Sequence, residues 1–391
     1  MTTKMNQPLS YDYHGDLPLN TSFSEINPHE IDIYLDLDTT VGADTCGQNC
    51  QHCWFVNYDV VNNKTFTKDF GLEIYKSLKK QNYNVYPRYT DSFSYHGQFM
   101  KIFGKSRNRS FKENENLENT KTMEKGEAWT SGRPLLSDNY ESLLDIASEY
   151  NYGTIAITFH GVLDKNLNIQ KKYPIKGVFY GSDAIRVINR IKYYNKKNTS
   201  KFRIAIGITI GKHNNSKDSL MRYIEFFNKI GIDSLRFNNF YDHGNNYPNL
   251  VLEKKEIERI YDDFSHIHKN IDLKFQLGIS QDFGTHNVEV MNYPPNIEHC
   301  KAGLQLFAII PNEEIIETKN GDIIGTVVGC VNTFEPKLGY LYRCEENNKY
   351  NYKIDFDKLA INKLQEKRVN KTFVNGCFSK ELEQAISNKI Y

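Results

Sequence analysis

The chain has 391 residues, 25% of them charged but balanced to a net charge of +1, so no global field selects nucleic acid or a membrane surface. No run reaches the ~18 consecutive apolar residues of a membrane span, and the start, Met1-Thr-Thr-Lys-Met-Asn-Gln, lacks the apolar centre of a signal peptide. Seven cysteines without such a signal favour a reducing, cytoplasmic setting in which thiols ligate cofactors.

In chain order, residues 1–28 are polar and read as an arm. Ile31, Ile33, Leu35 and Leu37 then alternate with Asp32, Tyr34, Asp36 and Asp38, the period of a strand. A cysteine-bearing loop follows. Thr67 caps an expected helix with Phe70, Ile74 and Leu78 on one side. A long polar stretch, about 92–125, reads as an insert. Residues 127–131 look extended, and Ser137 opens a helix carrying Leu143, Leu144 and Ala147.

Thr154–Phe159 alternates as a strand, Lys176–Tyr180 reads as a short one, and Ile185, Ile188 and Ile191 mark the next helix. Phe202–Ile210 is a β-branched strand. Leu220, Ile224 and Phe227 give a helix, Ile232–Phe240 a strand, Ile257 to Ile267 a helix, and Leu273–Ile279 a strand. This alternation predicts an α/β chain of parallel βαβ units, with reacting groups at the carboxyl ends of the strands. Past about residue 290 the pattern changes: Phe307–Ile310 and Ile323–Val328 flank Asn320-Gly321, a strong hairpin signal, and 355–389 looks helical. The expected division is an arm over 1–28, a barrel-like unit over 29–290 and a smaller α+β unit over 291–391.

The first expected strand runs into C-G-Q-N-C-Q-H-C-W-F, which sets Cys46, Cys50 and Cys53 within eight residues. Three thiolates at this spacing hold three corners of an iron–sulfur cube and leave one iron open, whereas a closed cube takes four. Zinc would have to recruit His52 or a distant group as a fourth ligand. A disulfide framework would need a secreted chain.

The cysteine run resembles the signature of the radical S-adenosylmethionine (SAM) superfamily. The resemblance implies a partial (β/α)6 TIM-like barrel, a 4Fe–4S cluster on Cys46, Cys50 and Cys53, and SAM chelated at the open iron. His52, just before the third cysteine, and Phe55 after it stand where that family frames the adenine. Ser131-Gly132-Arg133-Pro134 stands in the place of the family's turn for the SAM amino group. Arg133 cannot accept a hydrogen bond where an acid would, and Tyr89-Thr90-Asp91 is the rival segment, with Asp91 as a SAM or substrate contact. Ser182 falls at the carboxylate position, and Thr209 and Asn238 near the ribose and methionine. Gly207-Ile-Thr-Ile-Gly-Lys-His-Asn214 resembles the corresponding barrel segment, as Thr158-Phe-His-Gly161 does the family's Thr-Asn-Gly turn.

Cys300-Lys-Ala-Gly before the hairpin, and Gly325 five residues before Cys330, resemble the SPASM/twitch domain. With Cys377 they imply one auxiliary iron–sulfur cluster. Cys344 is either its fourth ligand or a thiol that donates a hydrogen atom to a substrate radical. The implied activity is reductive cleavage of SAM to a 5′-deoxyadenosyl radical, fed by a flavodoxin- or ferredoxin-type donor. That radical would abstract hydrogen from a ribosomal peptide on the way to a crosslink, oxidation or epimerisation. A dehydrogenase or epimerase of a sugar, cyclitol or nucleoside is the alternative, which the expected lack of a leader-binding module favours. A non-catalytic metal-binding protein is the third reading. Lys105-Ser-Arg-Asn-Arg-Ser-Phe-Lys112 in the insert reads as a solvated loop, or as a site for an acidic leader peptide or phosphate.

Overall fold

The computed structural model describes residues 22–36, 50–53, 66, 68–88, 91–94, 96–101, 126–242, 245–279, 302–330 and 336–369. Cys46, Phe55, Thr67, Tyr89, Thr90, Cys300 and Cys377 lie outside these, as do the Lys105–Lys112 cations and the end of the expected C-terminal helix.

A five-stranded parallel sheet forms the centre: β3 (Gly126–Thr130), β4 (Tyr152–Phe159), β5 (Arg203–Ile210), β6 (Ser234–Asn239) and β7 (Gln276–Ile279), in sequence order. The crossovers carry α2 (Tyr140–Glu149), α3 (Gly181–Lys197), α4 (Lys217–Ile230) and α5 (Lys254–Asn270), completing a set that begins with α1 (Lys68–Lys80). Ile204, Ile206, Ile208 and Ile210 of β5 lie in one core with Val187 and Ile191 of α3, Ile224 and Phe227 of α4, and Ile257 and Ile260 of α5. Each such side chain contributes roughly 1.5–3 kcal/mol by leaving water. With period two, Ala205, Gly207 and Thr209 therefore occupy the opposite, concave face. The α4 helix shows why these segments fold locally: Ser216 Oγ accepts from the Ser219 amide, Leu220, Ile224 and Phe227 recur on one face, and Gly231 ends the helix at φ 77°.

The second sheet is six-stranded and mixed, in the order β11-β10-β9-β8-β1-β2. Here β1 (Asp32–Asp36) lies parallel to both β2 (Asn84–Arg88) and β8 (Leu306–Ile316). The strands β9 (Asp322–Val328), β10 (Lys337–Glu346) and β11 (Lys349–Phe356) follow as antiparallel hairpins. The helix α6 (Lys358–Val369) closes the described chain. Ile33 and Leu35 share a core with Phe307, Ile309, Leu341 and Ile361, so the first strand packs into the C-terminal part of the chain. The Ser92 amide donates to the Trp129 carbonyl, bringing the exits of β2 and β3 together.

Three expectations change. Lys176–Tyr180 is a turn, not a strand, and only Tyr180 makes an isolated bridge, to His160. The start of the stretch read as a polar insert is core: Phe93, Phe99 and Met100 are buried. The helix expected from Ser137 begins at Tyr140, after a 3-10 turn over Arg133–Leu136.

Candidate active site

The carboxyl ends of the parallel strands form a mouth, and the described part of the cysteine loop is docked into it. The Gln51 amide donates to the Lys176 carbonyl (3.2 Å), and the Cys53 amide closes a turn on the Cys50 carbonyl (2.9 Å). Cys50 Sγ donates to the Gly177 carbonyl at 3.4 Å. From the loop after β6, Asn246 Nδ2 donates to the Gln51 carbonyl and the Tyr247 hydroxyl to Gln51 Oε1. That hydroxyl also accepts from the Lys176 amide at 3.0 Å. Tyr247 thus ties the cysteine loop to the turns after β4 and β6. In Tyr247→Phe, hydrogen exchange at the Gln51 amide should speed up about fivefold, the ~1 kcal/mol of a lost bond, with global unfolding unchanged.

The two rival segments at the exits of β2 and β3 are one structure. Asp91 is fully buried. Its Oδ2 accepts from Thr130 Oγ1 (2.9 Å), the Ser131 amide (2.8 Å) and Ser131 Oγ (2.8 Å), and its Oδ1 from the Phe93 amide (2.9 Å). Burial pushes this carboxyl above the usual range, while the four donors pull it back down. Thr130 Oγ1 passes the network on by accepting from the Gly132 amide. Gly132 sits at φ 90°, with Phe179 where a Cβ would stand, so the turn requires glycine.

Across the concave face, Thr158 pairs with Gly207, Gly207 with Arg236, and Thr209 with Asn238. The two expected cofactor contacts on β5 and β6 are therefore direct register partners near the mouth. Ser182 is exposed at the start of α3, whose Gly181 amide donates to the His160 carbonyl at 2.8 Å. His52 packs over Phe240 and against His160, with ring centroids 5.7 Å apart in both pairs.

A cluster of rings not anticipated as site residues surrounds His52. The Tyr173 ring stands edge-on between His160 (5.5 Å) and His213 (5.4 Å). The Nδ1 atoms of His52 and His160, and both ring nitrogens of His213, are buried with no hydrogen-bond partner among the described residues. Burial lowers these imidazoles from the ordinary value to about 4 for His52 and His213 and about 3 for His160, so all three are neutral. The Asp242 charge pulls His52 partly back, and His52 and His213 push His160 lower still. Burial also pushes the Tyr173 hydroxyl upward. Unmatched buried polar groups cost about 1–3 kcal/mol each. The loop carrying His213 is held by Asn214, which accepts from the Gly211 amide and donates to the Thr209 carbonyl and the Tyr223 hydroxyl. Tyr223 in turn donates to the Gly161 carbonyl. The signals in sequence were position, since His160 directly follows β4 and His213 closely follows β5, and membership of the segments Thr158–Gly161 and Gly207–Asn214.

The C-terminal cysteines separate. Cys330 is buried two residues after β9, where Gly329 packs on the backbone of Gly303, three residues past Cys300. Cys344 stands at the other end of the hairpins, its Sγ donating to the Asn320 carbonyl at 3.4 Å. Val328 pairs with Lys337 and Asp322 with Arg343. Cys344 thus falls opposite Gly321, seven residues along β9 from Val328, and at ~3.4 Å per residue it lies roughly 24 Å from the end of the strand that leads to Cys330, too far to share one cluster. This register separates Cys344 from Cys330 and so argues against Cys344 as a fourth ligand beside it. The four described cysteines form no disulfide, and no described group of three or more His, Cys, Asp or Glu is set to hold a metal ion.

An open, curled parallel sheet with a cysteine loop across its carboxyl ends is a partial TIM-like barrel, here within a mixed α/β chain. No family model matches the chain, and no curated protein does. Among solved structures it is similar to Streptococcus suis SuiB bound to S-adenosylmethionine, at TM-score 0.50 and 13% identity, covering 78% of this chain and 62% of SuiB. SuiB alone aligns at TM-score 0.48 and 14% identity (80% of this chain, 63% of SuiB). SuiB bound to precursor peptide SuiA aligns at 0.47 and 14% (79% and 63%). The chain therefore spans less than two thirds of SuiB, and the likeness is one of fold. No described helix is long and apolar enough to cross a membrane.

Proposed function

We propose that the chain is a radical SAM enzyme acting on a peptide substrate. The observation that carries this reading is the docking of the Cys50–Cys53 segment onto the turns that follow β4 and β6, at the end of a parallel sheet where such folds do chemistry. The fold shared with SuiB, a protein solved with S-adenosylmethionine bound, supports it.

The donor set fits: two thiols of a three-thiol spacing lie half-buried in a loop fixed by backbone bonds, beside buried rings with unmatched nitrogens. Cys46, Cys50 and Cys53 would hold the 4Fe–4S cluster, and together the cluster and SAM supply a 5′-deoxyadenosyl radical when bound. His52, stacked over Phe240, is the adenine-side residue. The Ser131-Gly132 turn is proposed to present backbone carbonyls to the SAM amino group. Asp91, with both oxygens engaged by its own chain, braces that turn and does not contact the ligand. Ser182 at the start of α3 suits a carboxylate, and Thr209 and Asn238 the ribose. Cys300, Cys330 and Cys377 remain the proposed auxiliary ligands, supported by the close approach of Gly303 to Gly329. Cys344, on the far end of the hairpin, is left as a hydrogen-atom donor only. The peptide substrate rests on the twitch-like cysteine pattern.

Reconstituted anaerobically with iron and sulfide and reduced with dithionite, the chain is expected to convert SAM to methionine and 5′-deoxyadenosine. Intact SAM would overturn the reading. The Cys46/Cys50/Cys53→Ala triple variant should keep about four irons, those of the auxiliary cluster. A triple variant without iron would remove that cluster and the main support for a peptide.

A further inference from the structure

The ring cluster His52–His160–Tyr173–His213 is larger than the frame of one adenine, and its outer members carry most of the unmatched hydrogen-bonding capacity. A neutral imidazole has one N–H and one lone pair. The two unpartnered nitrogens of His213 are therefore an unmet donor and an unmet acceptor in the same ring. His160, 6% exposed, adds a further unmatched nitrogen, and the Tyr173 ring fixes the spacing between the two. His213 does not drift, because Asn214 pins its loop to β5 and, through Tyr223, to the turn after β4.

We propose that His160, Tyr173 and His213 form a substrate subsite that takes an uncharged group able both to donate and to accept, a hydroxyl or a carboxamide. The inference rests on the radical SAM reading for calling the ligand a substrate, and it names the chemistry of that substrate. Tyr173 packs in the same small cluster as Cys50, so a group held there lies beside the cysteine loop, where a hydrogen atom would be taken. Charged groups fit poorly. Among the described groups, the Asp242 carboxylate acts on His52 and the Cys50 thiol on Tyr173, and neither acts on His160 or His213. A carboxylate would meet a neutral imidazole N–H and no cation, because burial opposes the imidazolium, and an ammonium would meet imidazole lone pairs with no described carboxylate acting on His160 or His213.

The test is saturation-transfer NMR on the reconstituted, SAM-loaded protein. The probes are N-acetyl-L-asparagine amide and N-acetyl-L-serine amide for a peptide, methyl glucoside for a sugar, and N-acetyl-L-aspartate amide as the charged control. Uncharged probes should bind, the peptide or sugar arm identifying the source, with the aspartate compound at least about tenfold weaker. His213→Phe should abolish the signal while SAM affinity changes by less than about twofold. Equal binding of the asparagine and aspartate compounds overturns the proposal, even if His213→Phe does not fold. So does signal that persists in His213→Phe, or a parallel loss of SAM affinity, which would assign the ring to the cofactor. The radical SAM reading fails separately, by intact SAM in the reductive assay, whatever the probes do.

Discussion

Asp91→Asn is expected to lose about 3 kcal/mol of stability and to weaken SAM binding roughly tenfold, although the side chain keeps its shape. The reason lies in the direction of its bonds. Both carboxylate oxygens receive a backbone amide, Phe93 on Oδ1 and Ser131 on Oδ2, and backbone amides cannot turn round to accept. An asparagine has one oxygen and one NH2, so whichever way it is placed, an NH2 meets an N–H. The Ser131 and Thr130 hydroxyls can rotate to accept, but the second amide stays unmatched in a fully buried site. The turn that would hold the SAM amino group then shifts. Urea unfolding and equilibrium dialysis with SAM measure the two effects. Iron content should be unchanged, because the cysteine loop is anchored elsewhere, on Lys176, Gly177, Asn246 and Tyr247.

Cys50→Ala inverts that pattern. Formation of 5′-deoxyadenosine should fall below about 1% of the native rate, and the irons of the SAM-binding cluster should be lost, since two thiolates do not hold a cube. Stability should change by less than about 1 kcal/mol. The Cys50 thiol gives up its weak S–H bond to Gly177 at 3.4 Å, and the backbone bonds of Gln51 and Cys53 remain. Iron analysis, the SAM cleavage assay and a urea titration on the same preparation separate the two outcomes. An iron-replete, active Cys50→Ala protein would exclude Cys50 as a ligand.

The strands β4 and β5 were legible because they are buried on both sides and read as β-branched runs, and β6 because Leu235 and Phe237 alternate with polar residues. The strand β2 was not, because Asn84, Pro87 and Arg88 mask its period, and a proline is tolerated there only because β2 is an edge strand. The hairpin of β10 and β11 was missed for a related reason. Its outward residues, Lys349, Asn351 and Lys353 among them, are exposed, and a single buried tyrosine, Tyr352, holds β11 to α1 through Ser77 and Glu73. At the site, the cysteine spacing was local and therefore readable. Choosing between Asp91 and Ser131 on sequence posed a false alternative, because residues separated by the insert meet at 2.8 Å. His160 and Tyr173 come from the long connection after β4 and His213 from the one after β5, and only the closing of the sheet shows that they are neighbours.

The pairing of β1 with β8 has a consequence for how the protein is made. Asp32 finds Leu306, and Leu35 finds Ile309, so the strand that leads into the cysteine loop has one of its two neighbours near the far end of the chain. During synthesis the first strand leaves the ribosome long before that neighbour exists, and non-local pairings of this kind form late and slowly. Until then Ile33 and Leu35 lack the Phe307 and Ile309 surface that buries them. The thiols would thus emerge early but be fixed in place late. Delivery of iron to the loop is best matched to the released chain, and expression that outruns folding should yield aggregated, cluster-free protein.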